Sequence, residues 1–366
     1  MRLAVDEQIF AIQAYGGISR YFTELLRQFV RHVPTQVELL PMNAPIVNRY
    51  LLDDPELSHA LEVSEAHNEW TALARYFALP RKHPACDIVH NTFYLPHGLA
   101  STRGAKRIVT VYDMIPELLP QTRRRLDFLT LKRRYVQTAD HVICISESTR
   151  QDLYRVYGDI TPPVTVVHLG VDRRFHPDAA RLRQLPDQYV LMVGNRTQYK
   201  DGDVLIKAFA RIAHDHPDLS LVCVGGGGWS RSEAELLARL EITDRCSQVD
   251  LDDTLMPSAY THAAAFVFPS RFEGFGLPAL EAMACGTPTI LTNSTSLPEV
   301  GGDAAAYFQP GDVEALGAAL TKVLTDHDFS RRLRLSGIQR ASEFTWQRTA
   351  EQTADVYGQA LGAATL

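Results

Sequence analysis

The stretch RFEGFGLPALEAMACGTP, residues 271–288, joins a glycine-rich turn to a helical pattern. It follows the apolar run AFVFPS, which has the composition of a buried strand. Pro278 suits the first turn of a helix, and Gly286 suits the position just after its end. The segment is therefore predicted to form a strand, a tight loop and a helix, with the backbone amides of the loop preceding the helix N-terminus.

The same alternation of short apolar runs and helical patterns continues along the whole chain, which indicates parallel sheets covered by helices on both faces. In residues 16–32, apolar side chains recur every three or four positions, as on a helix that packs against a sheet. The polar, proline-containing stretch 170–188 is the predicted boundary between two doubly wound α/β domains. We expect these Rossmann-like domains at residues 1–175 and 176–345, facing each other across a cleft, with a C-terminal helix at 346–366 that packs back on the first.

Composition agrees with a two-domain globular protein, since 366 residues with 45% hydrophobic and 22% charged side chains exceed one ordinary core. No apolar run approaches the roughly 20 residues of a membrane span. Acidic residues near the N-terminus argue against a signal peptide. Five cysteines occur without a CxxC pair, so the sequence favours a reducing cytoplasm and no metal cluster.

The net charge of −6 is unevenly distributed, with +2 on residues 1–175 and −8 on the remainder. Six of the twelve residues in RRRLDFLTLKRR, 123–134, are basic. They form either a solvated helix face or a patch for anionic phospholipid or an anionic acceptor, to which each basic residue contributes about 1 kcal/mol. The second interpretation predicts peripheral contact with the inner face of the membrane. Nucleic acid is disfavoured as a partner because the chain is acidic and lacks aromatic residues between the basic ones.

Three loops at predicted strand ends have features of anion sites. Gly16 and Gly17 precede the first long helix, where bare amides meet a helix N-terminus. Arg196 and Lys200 lie in the loop after the first strand of the second domain. The third is the loop of residues 271–288. The ordinary alternatives are a tight turn for the glycine pair and solvent-facing side chains for the two cations.

Two further motifs are weak. VGGGGW, residues 224–229, lacks the G-x-G-x-x-G frame and the matching acidic residue of a dinucleotide site. DLDD, residues 250–253, resembles a metal-binding Asp-x-Asp, but its place before a helical stretch favours a capping turn.

The parts of the third loop together match a nucleotide-diphospho-sugar. A carboxylate accepts two hydrogen bonds at once, so Glu281 could hold the ribose diol and Glu273 the hydroxyls of the sugar. The loop amides, with Arg196 and Lys200, would take the diphosphate. These groups would stabilise the negative charge that grows on the leaving group as the glycosidic bond breaks. Such a site needs neither a metal ion nor a cofactor.

The segment PSRFEGFGLPALEAMACGTPTI, with seven residues between its glutamates, resembles the donor-binding signature of retaining GT-B glycosyltransferases of family GT4. Further segments that resemble the family follow in its order, among them YVLMVGNRTQYKDGDVLIKAFARI, ICISESTRQDLYRVYG and SLPEVGGDAAAYFQPGD. The resemblance covers the second domain almost throughout. In the first domain it is confined mainly to the glycine loop and the last strands.

The resemblance implies an α/β GT-B fold, a donor held mainly by the C-terminal domain, and transfer with retention of anomeric configuration. It implies no metal and no dedicated nucleophile, because attack on the same face is guided by the leaving phosphate. The residues it assigns to the donor are Arg196 and Lys200 for the diphosphate, Glu273 for the sugar, Glu281 for the ribose, Gly274, Phe275, Gly276 and Leu277 through their amides, and Gly16 and Gly17 from the other side.

The first domain departs from the family pattern. Many members carry H-x-H near the sugar, whereas this chain keeps His90 and has Thr92 two positions later. A common His-Asp pair appears as Tyr112-Asp113. His90 and Asp113 are therefore candidates for contact with the transferred sugar or the acceptor hydroxyl. His90 could instead satisfy a carbonyl at the strand end.

The form VGNRTQYK is most similar to members that use GDP-mannose, so the sequence favours mannosyl transfer to a glycan or lipid-linked acceptor in surface polysaccharide synthesis. UDP- and dTDP-sugars stay open, and the acceptor is not predicted. Two alternatives are a non-catalytic nucleotide-sugar-binding partner of an assembly complex and a GT-B epimerase or hydrolase. The first would be expected to lose Glu273 or Lys200, and both are present.

Overall fold

In the computed structural model, the chain divides into two compact units. The first unit comprises residues 1–170 and 346–366, and the second comprises residues 171–345. The residues that the structure describes are 1–32, 37–42, 44–78, 85–99, 104–119, 127–196 and 198–362.

Over these described ranges, the first unit contains a six-stranded sheet in which all neighbouring strands are parallel. The spatial order is β2-β1-β3-β4-β5-β6. The central strands are buried on both faces because helices cover both sides of the sheet. The strands are β1 Arg2–Val5, β2 Glu38–Leu39, β3 Ile88–Asn91, β4 Lys106–Val111, β5 His141–Cys144 and β6 Val164–Val166.

Helices of the first unit surround this sheet. The apolar stripe predicted for the first long helix is buried, including Tyr21, Phe22 and Leu25. The helices are α1 Gln8–Ile12, α2 Gly17–Arg31, α3 Arg49–Leu52, α4 Pro55–Ala60, α5 Glu69–Ala78, α6 Ile115–Leu118, α7 Asp127–Thr138, α8 Glu147–Tyr157 and, from the C-terminal segment, α16 Trp346–Ala360.

In the described part of the second unit, a further six-stranded parallel sheet has the order β12-β11-β10-β7-β8-β9. Numbered from its own first strand, this is the 3-2-1-4-5-6 order of the Rossmann fold. The strands are β7 Gln188–Val193, β8 Leu219–Val224, β9 Cys246–Val249, β10 Ala265–Phe268, β11 Thr289–Thr292 and β12 Ala306–Phe308. The helices are α9 Gly202–Ala213, α10 Arg231–Arg239, α11 Met256–Thr261, α12 Leu277–Ala284, α13 Leu297–Gly301, α14 Val313–Thr325 and α15 His327–Ser342.

The strand order fixes where each sheet can bind a ligand. In a doubly wound sheet, a crevice opens beyond the carboxyl ends of the two strands at which the order reverses. In the second unit these strands are β7 and β10, and the loops that follow them are residues 194–201 and 269–276. In the first unit they are β1 and β3.

The C-terminal helix α16 belongs to the first unit through buried side chains. Trp346 and Tyr357 are 5% and 0% exposed, and Trp346 packs against Tyr21 with 6.3 Å between ring centroids. Thr349 Oγ1 donates a 2.8 Å hydrogen bond to the carbonyl oxygen of His168. The helix therefore contributes to the core of the first unit although it follows the second in sequence.

The basic segment 123–134 is only partly described. Arg123, Arg124 and Arg125 lie outside the described residues. Lys132 on α7 is buried, and its ammonium lies 3.1 Å from a carboxylate oxygen of Glu117. Lys132 is therefore not part of an exposed basic face, which weakens the predicted membrane patch. Among the described residues, no helix combines the length and apolar character needed to cross a bilayer.

Candidate active site

Three interactions join the two loops at the reversal point of the second sheet. The Arg271 N–H donates a 2.7 Å hydrogen bond to the carbonyl oxygen of Tyr199. The Arg271 guanidinium forms an ion pair with the carboxylate of Asp201, which is 2% exposed and precedes α9. Asp201 has a φ of 50°, and Gln198 has a φ of 56°, so the loop turns sharply on both sides of Lys200. The position of Lys200 is thereby fixed against the loop after β10.

Lys200 and Glu273 form the third interaction, an ion pair at the centre of the crevice. Lys200 Nζ lies 2.5 Å from Glu273 Oε1, and the side chains are 19% and 11% exposed. The ammonium also lies 5.3 Å from the ring centroid of Phe268 and 5.2 Å from that of Tyr199. Charge-assisted hydrogen bonds of this kind are strong, and partial burial strengthens them further. Two predicted site residues are therefore in direct contact.

The loop after β11 holds the main chain of Glu273. The Glu273 N–H donates to Thr295 Oγ1 at 3.0 Å. Ser296, fully buried, donates from its hydroxyl to the carbonyl oxygens of Glu273 at 3.0 Å and of Phe275 at 2.8 Å. Three loops after neighbouring strands thus fix the position of a single carboxylate.

Gly276 allows the start of α12 to approach this loop. Its φ is 113°, and a Cβ at this position would lie 2.7 Å from Leu297 Cδ2. Phe275 is 3% exposed and packs edge-to-face on Phe344, with 5.9 Å between centroids. Gly274 and Leu277 complete the turn, which places the predicted amides at the N-terminus of an eight-residue helix.

Glu281 lies on α12, one turn beyond Leu277, and is 6% exposed. Its Oε2 accepts a 2.9 Å hydrogen bond from the hydroxyl of Tyr260, a fully buried side chain on α11. The carboxylate is therefore held in a fixed orientation. The role predicted for it at a ribose stays a prediction.

Arg196 makes its contacts inside the second unit. Its side chain is only 2% exposed, and it donates to Glu233 and to carbonyl oxygens of the loop formed by residues 225–228. The sequence motif did not predict these internal contacts. The predicted contact between Arg196 and the diphosphate stays a prediction.

In the first unit, α2 begins at Gly17, with Gly16 in extended conformation before it. A Cβ on residue 16 would lie 2.3 Å from Gln13 Oε1, so a side chain there would displace the Gln13 amide. A Cβ on residue 17 would have no neighbour within 4 Å, and Gly17 is exposed. Gly17 is thus accessible at the helix N-terminus, and its contact with a donor stays a prediction.

Asp113 and His90 differ in their exposure to solvent. Asp113 lies past the carboxyl end of β4, partly exposed, and its Oδ1 accepts the Ile115 N–H at 3.0 Å. His90 is fully buried, with Nδ1 2.7 Å from the Tyr357 hydroxyl and Nε2 2.8 Å from Thr110 Oγ1. The contact predicted between His90 and the sugar or acceptor stays a prediction, and the contacts found here are internal. The histidine ties β3 to α16 and β4.

Several site residues were missed at the sequence level. Asp201, Arg271 and Ser296 connect loops, and Tyr260 orients Glu281. Their partners lie 21 to 70 residues away, so local spacing does not identify them. The motif DLDD behaves as the turn favoured above, because Asp252 Oδ1 accepts hydrogen bonds from the N–H and hydroxyl of Thr254.

A doubly wound sheet that presents a lysine–glutamate pair and a helix N-terminus at its reversal point is built to hold a phosphorylated, hydroxyl-rich ligand. Two doubly wound α/β units in one chain are the architecture of a GT-B glycosyltransferase. Comparison with known proteins supports this class. Residues 178–340 match the family described as Glycosyl transferases group 1, and residues 15–175 match Glycosyltransferase Family 4.

The most informative relatives are similar over nearly their full length. The chain is 30% identical to the O-antigen chain mannosyltransferase B of Escherichia coli, over 97% of this chain and 92% of that protein. It is 28% identical to the MMP α-(1→4)-mannosyltransferase of Mycolicibacterium hassiacum, over 87% and 85%. The chain belongs to the group 1, family 4 glycosyltransferases.

Solved structures share the fold. A sucrose-phosphate synthase from Thermosynechococcus elongatus superposes with a TM-score of 0.73 at 20% identity, over 99% of both chains. HepE from Anabaena, in complex with UDP-glucose, superposes with a TM-score of 0.74 at 15% identity, over 98% and 99%. The predicted GT-B fold and family are confirmed.

The burial of His90 predicts an acid-sensitive fold. Burial lowers the pKa of His90 from 6.5 to about 3. Between these values the unfolded chain binds a proton that the folded chain does not, so stability falls as pH drops from about 6.5 toward 3, by up to about 1.4 kcal/mol per pH unit. Urea unfolding of the wild type and of His90→Gln at pH 7, 6 and 5 measures this. The variant should be less stable at pH 7 and have a shallower slope. Equal slopes in the two proteins would contradict the assignment.

Proposed function

We propose that the protein transfers a hexose, with mannose favoured, from a nucleoside-diphospho-sugar to a glycan or lipid-linked acceptor in surface polysaccharide synthesis. Transfer retains the anomeric configuration and needs no metal ion. The observation that carries the proposal is the ion pair between Lys200 and Glu273, next to the N-terminus of α12. It presents a cation for phosphate and an anion for hydroxyl groups at one point.

In the proposed reaction, the bond between the sugar C1 and the diphosphate oxygen breaks, and its electron pair stays on the diphosphate. Lys200 and the amides at the start of α12 stabilise that charge as it develops. The acceptor hydroxyl forms its bond to C1 on the face that the diphosphate leaves, and its proton passes to a phosphate oxygen. Glu273 holds the hydroxyls of the sugar, and Glu281 holds the ribose diol.

Mannose is favoured because two of the relatives that cover most of the chain are named as mannosyltransferases. A relative named for O-antigen chains supports an acceptor of the surface-polysaccharide class. Peripheral contact with the membrane through residues 123–134 is a weaker part of the proposal, because Lys132 is buried in an ion pair with Glu117.

Calorimetric titration with GDP, UDP, dTDP and ADP, each with and without Mg²⁺, tests the donor. We expect GDP to bind most tightly and Mg²⁺ to leave its affinity unchanged. Preference for another nucleotide would overturn the proposal that GDP-mannose is the donor. The proposal that the protein is a glycosyltransferase would stand. Failure to bind any of the four would favour a non-catalytic partner protein. Release of free sugar without acceptor, measured in parallel, would indicate a hydrolase.

Glu281→Ala should weaken nucleotide binding by about 1.5–3 kcal/mol, because it removes a charge-assisted hydrogen bond to the ribose. Tyr260→Phe is the matched control, since it removes the hydroxyl that orients Glu281 and keeps the carboxylate. We expect a smaller loss in that variant. Wild-type nucleotide affinity in Glu281→Ala would remove this carboxylate from the ribose.

Lys200→Ala should lower kcat by roughly 10²–10³, the usual effect of removing one group that stabilises charge in the transition state. Lys207→Ala is the control, because Lys207 is an exposed lysine of the same unit that pairs with Asp203 on its own helix. Rates with saturating donor decide the outcome. Normal turnover in Lys200→Ala would exclude Lys200 from the leaving group.

A further inference from the structure

The glycine loop, residues 225–228, follows β8 and precedes α10 in the second unit. Gly225, Gly226 and Gly227 have φ values of 77°, 77° and 73°, a left-handed run that favours glycine at every position. Gly226, Gly227 and Gly228 are exposed. The loop is the glycine run of the motif VGGGGW.

A single guanidinium closes the loop from inside. Arg196 Nη1 donates to the carbonyl oxygen of Gly225 at 2.8 Å. Arg196 Nη2 donates to those of Gly227 at 2.8 Å and Gly228 at 3.1 Å. The guanidinium carbon also lies 4.6 Å from the ring centroid of Trp229. Because five donors in a rigid plane are available only on arginine, a lysine could not make this set of contacts.

Glu233 fixes the guanidinium in turn. Its Oε1 accepts from Arg196 Nε at 2.8 Å, and its Oε2 accepts the Ser230 N–H at 2.8 Å. Burial alone would raise the pKa of Glu233, but the hydrogen bonds from Arg196 and Ser230 outweigh it and hold the pKa below its ordinary value. A charged carboxylate at the start of α10 therefore sets the position of Arg196.

The geometry of the peptide bond then determines what the loop presents to solvent. In a planar trans peptide, the N–H points opposite to the C=O. Since the carbonyls of Gly225 and Gly227 face the guanidinium, the N–H groups of Gly226 and Gly228 face away from it. Within the described residues, neither amide donates a hydrogen bond. A cation behind the carbonyls also polarises each peptide and makes its N–H a better donor to an anion.

We infer that Arg196 is a positioning residue of the donor site, which acts by holding the glycine loop with its amides outward. The loop surface would take the anionic part of a nucleoside-diphospho-sugar. This inference rests on the proposed function, and it replaces the direct contact between Arg196 and the diphosphate. The loops after β7 and β8 adjoin, because Gly194 N–H donates to the Val224 carbonyl oxygen at 2.9 Å. The glycine loop therefore lies beside the loop that carries Lys200.

The bracing of the loop is tested without any nucleotide. Hydrogen exchange followed by mass spectrometry with fragmentation reports the amide of Gly225, which donates to the carbonyl oxygen of Val249 at 3.1 Å. Exchange there should rise at least tenfold in Arg196→Lys, which keeps the positive charge but lacks the planar guanidinium. The same rise is expected in Glu233→Gln. Lys207→Ala removes an exposed cation of the same unit, one that pairs with Asp203, and should leave exchange unchanged. Unchanged exchange in Arg196→Lys would overturn the bracing.

Titration of the same variants tests the consequence for binding, with whichever of GDP, UDP, dTDP and ADP the wild type binds best. Arg196→Lys and Glu233→Gln should each bind at least tenfold more weakly. The double variant should be no weaker than Arg196→Lys alone, because both residues act through one loop. Lys207→Ala should bind as the wild type does.

Direct contact between Arg196 and phosphate gives a different pattern. Glu233→Gln would then bind as tightly as the wild type or more tightly, since the arginine would be released toward the ligand, and this result would overturn the inference. A wild type that binds none of the four nucleotides would refute the proposed function and the ligand named for the loop. The exchange result would still decide separately whether Arg196 braces it.

Discussion

The ion pair between Lys200 and Glu273 is the interaction on which the rest of the site depends. Its two side chains come from loops after different strands, and at 19% and 11% exposure neither is solvated well enough to stand alone. The Arg271–Asp201 pair aligns the loop that carries Lys200. The hydroxyl of Ser296 fixes the backbone on either side of Gly274. Strand order, turns and buried hydroxyls all serve to keep two opposite charges in contact.

Such a pair imposes a condition on any ligand that separates it. Breaking one partner from a partly buried pair leaves an uncompensated charge, which is strongly unfavourable. A ligand that supplies phosphate oxygens to Lys200 and hydroxyl groups to Glu273 replaces both interactions at once. A ligand with only one of these groups replaces only one side of the ion pair. For the proposed donor, the pair would thereby favour an intact sugar-diphosphate over either fragment.

Much of the fold could be predicted from the sequence, because apolar runs that alternate with helices leave few arrangements other than doubly wound sheets. The glutamates of residues 271–288 were located for the same reason, since a strand, a tight turn and a helix fix where each residue falls. The contacts that Arg196 and His90 make inside the protein were not predicted. Their partners Glu233 and Tyr357 lie 37 and 267 residues away, and no local pattern shows that a polar side chain turns inward to meet them.

The internal contacts of Arg196 and His90 have one physical origin. Loops that leave neighbouring parallel strands converge at one edge, and their backbone polar groups must find partners wherever water is excluded. Some charged residues at strand ends meet that need: Arg196 takes three carbonyls, and Asp6, 3% exposed, accepts the N–H and hydroxyl of Thr92. A motif at a strand end therefore marks residues of two kinds. The partners of each side chain separate the two kinds, because Arg196 binds backbone carbonyls of its own unit whereas Lys200 pairs with Glu273 in the crevice.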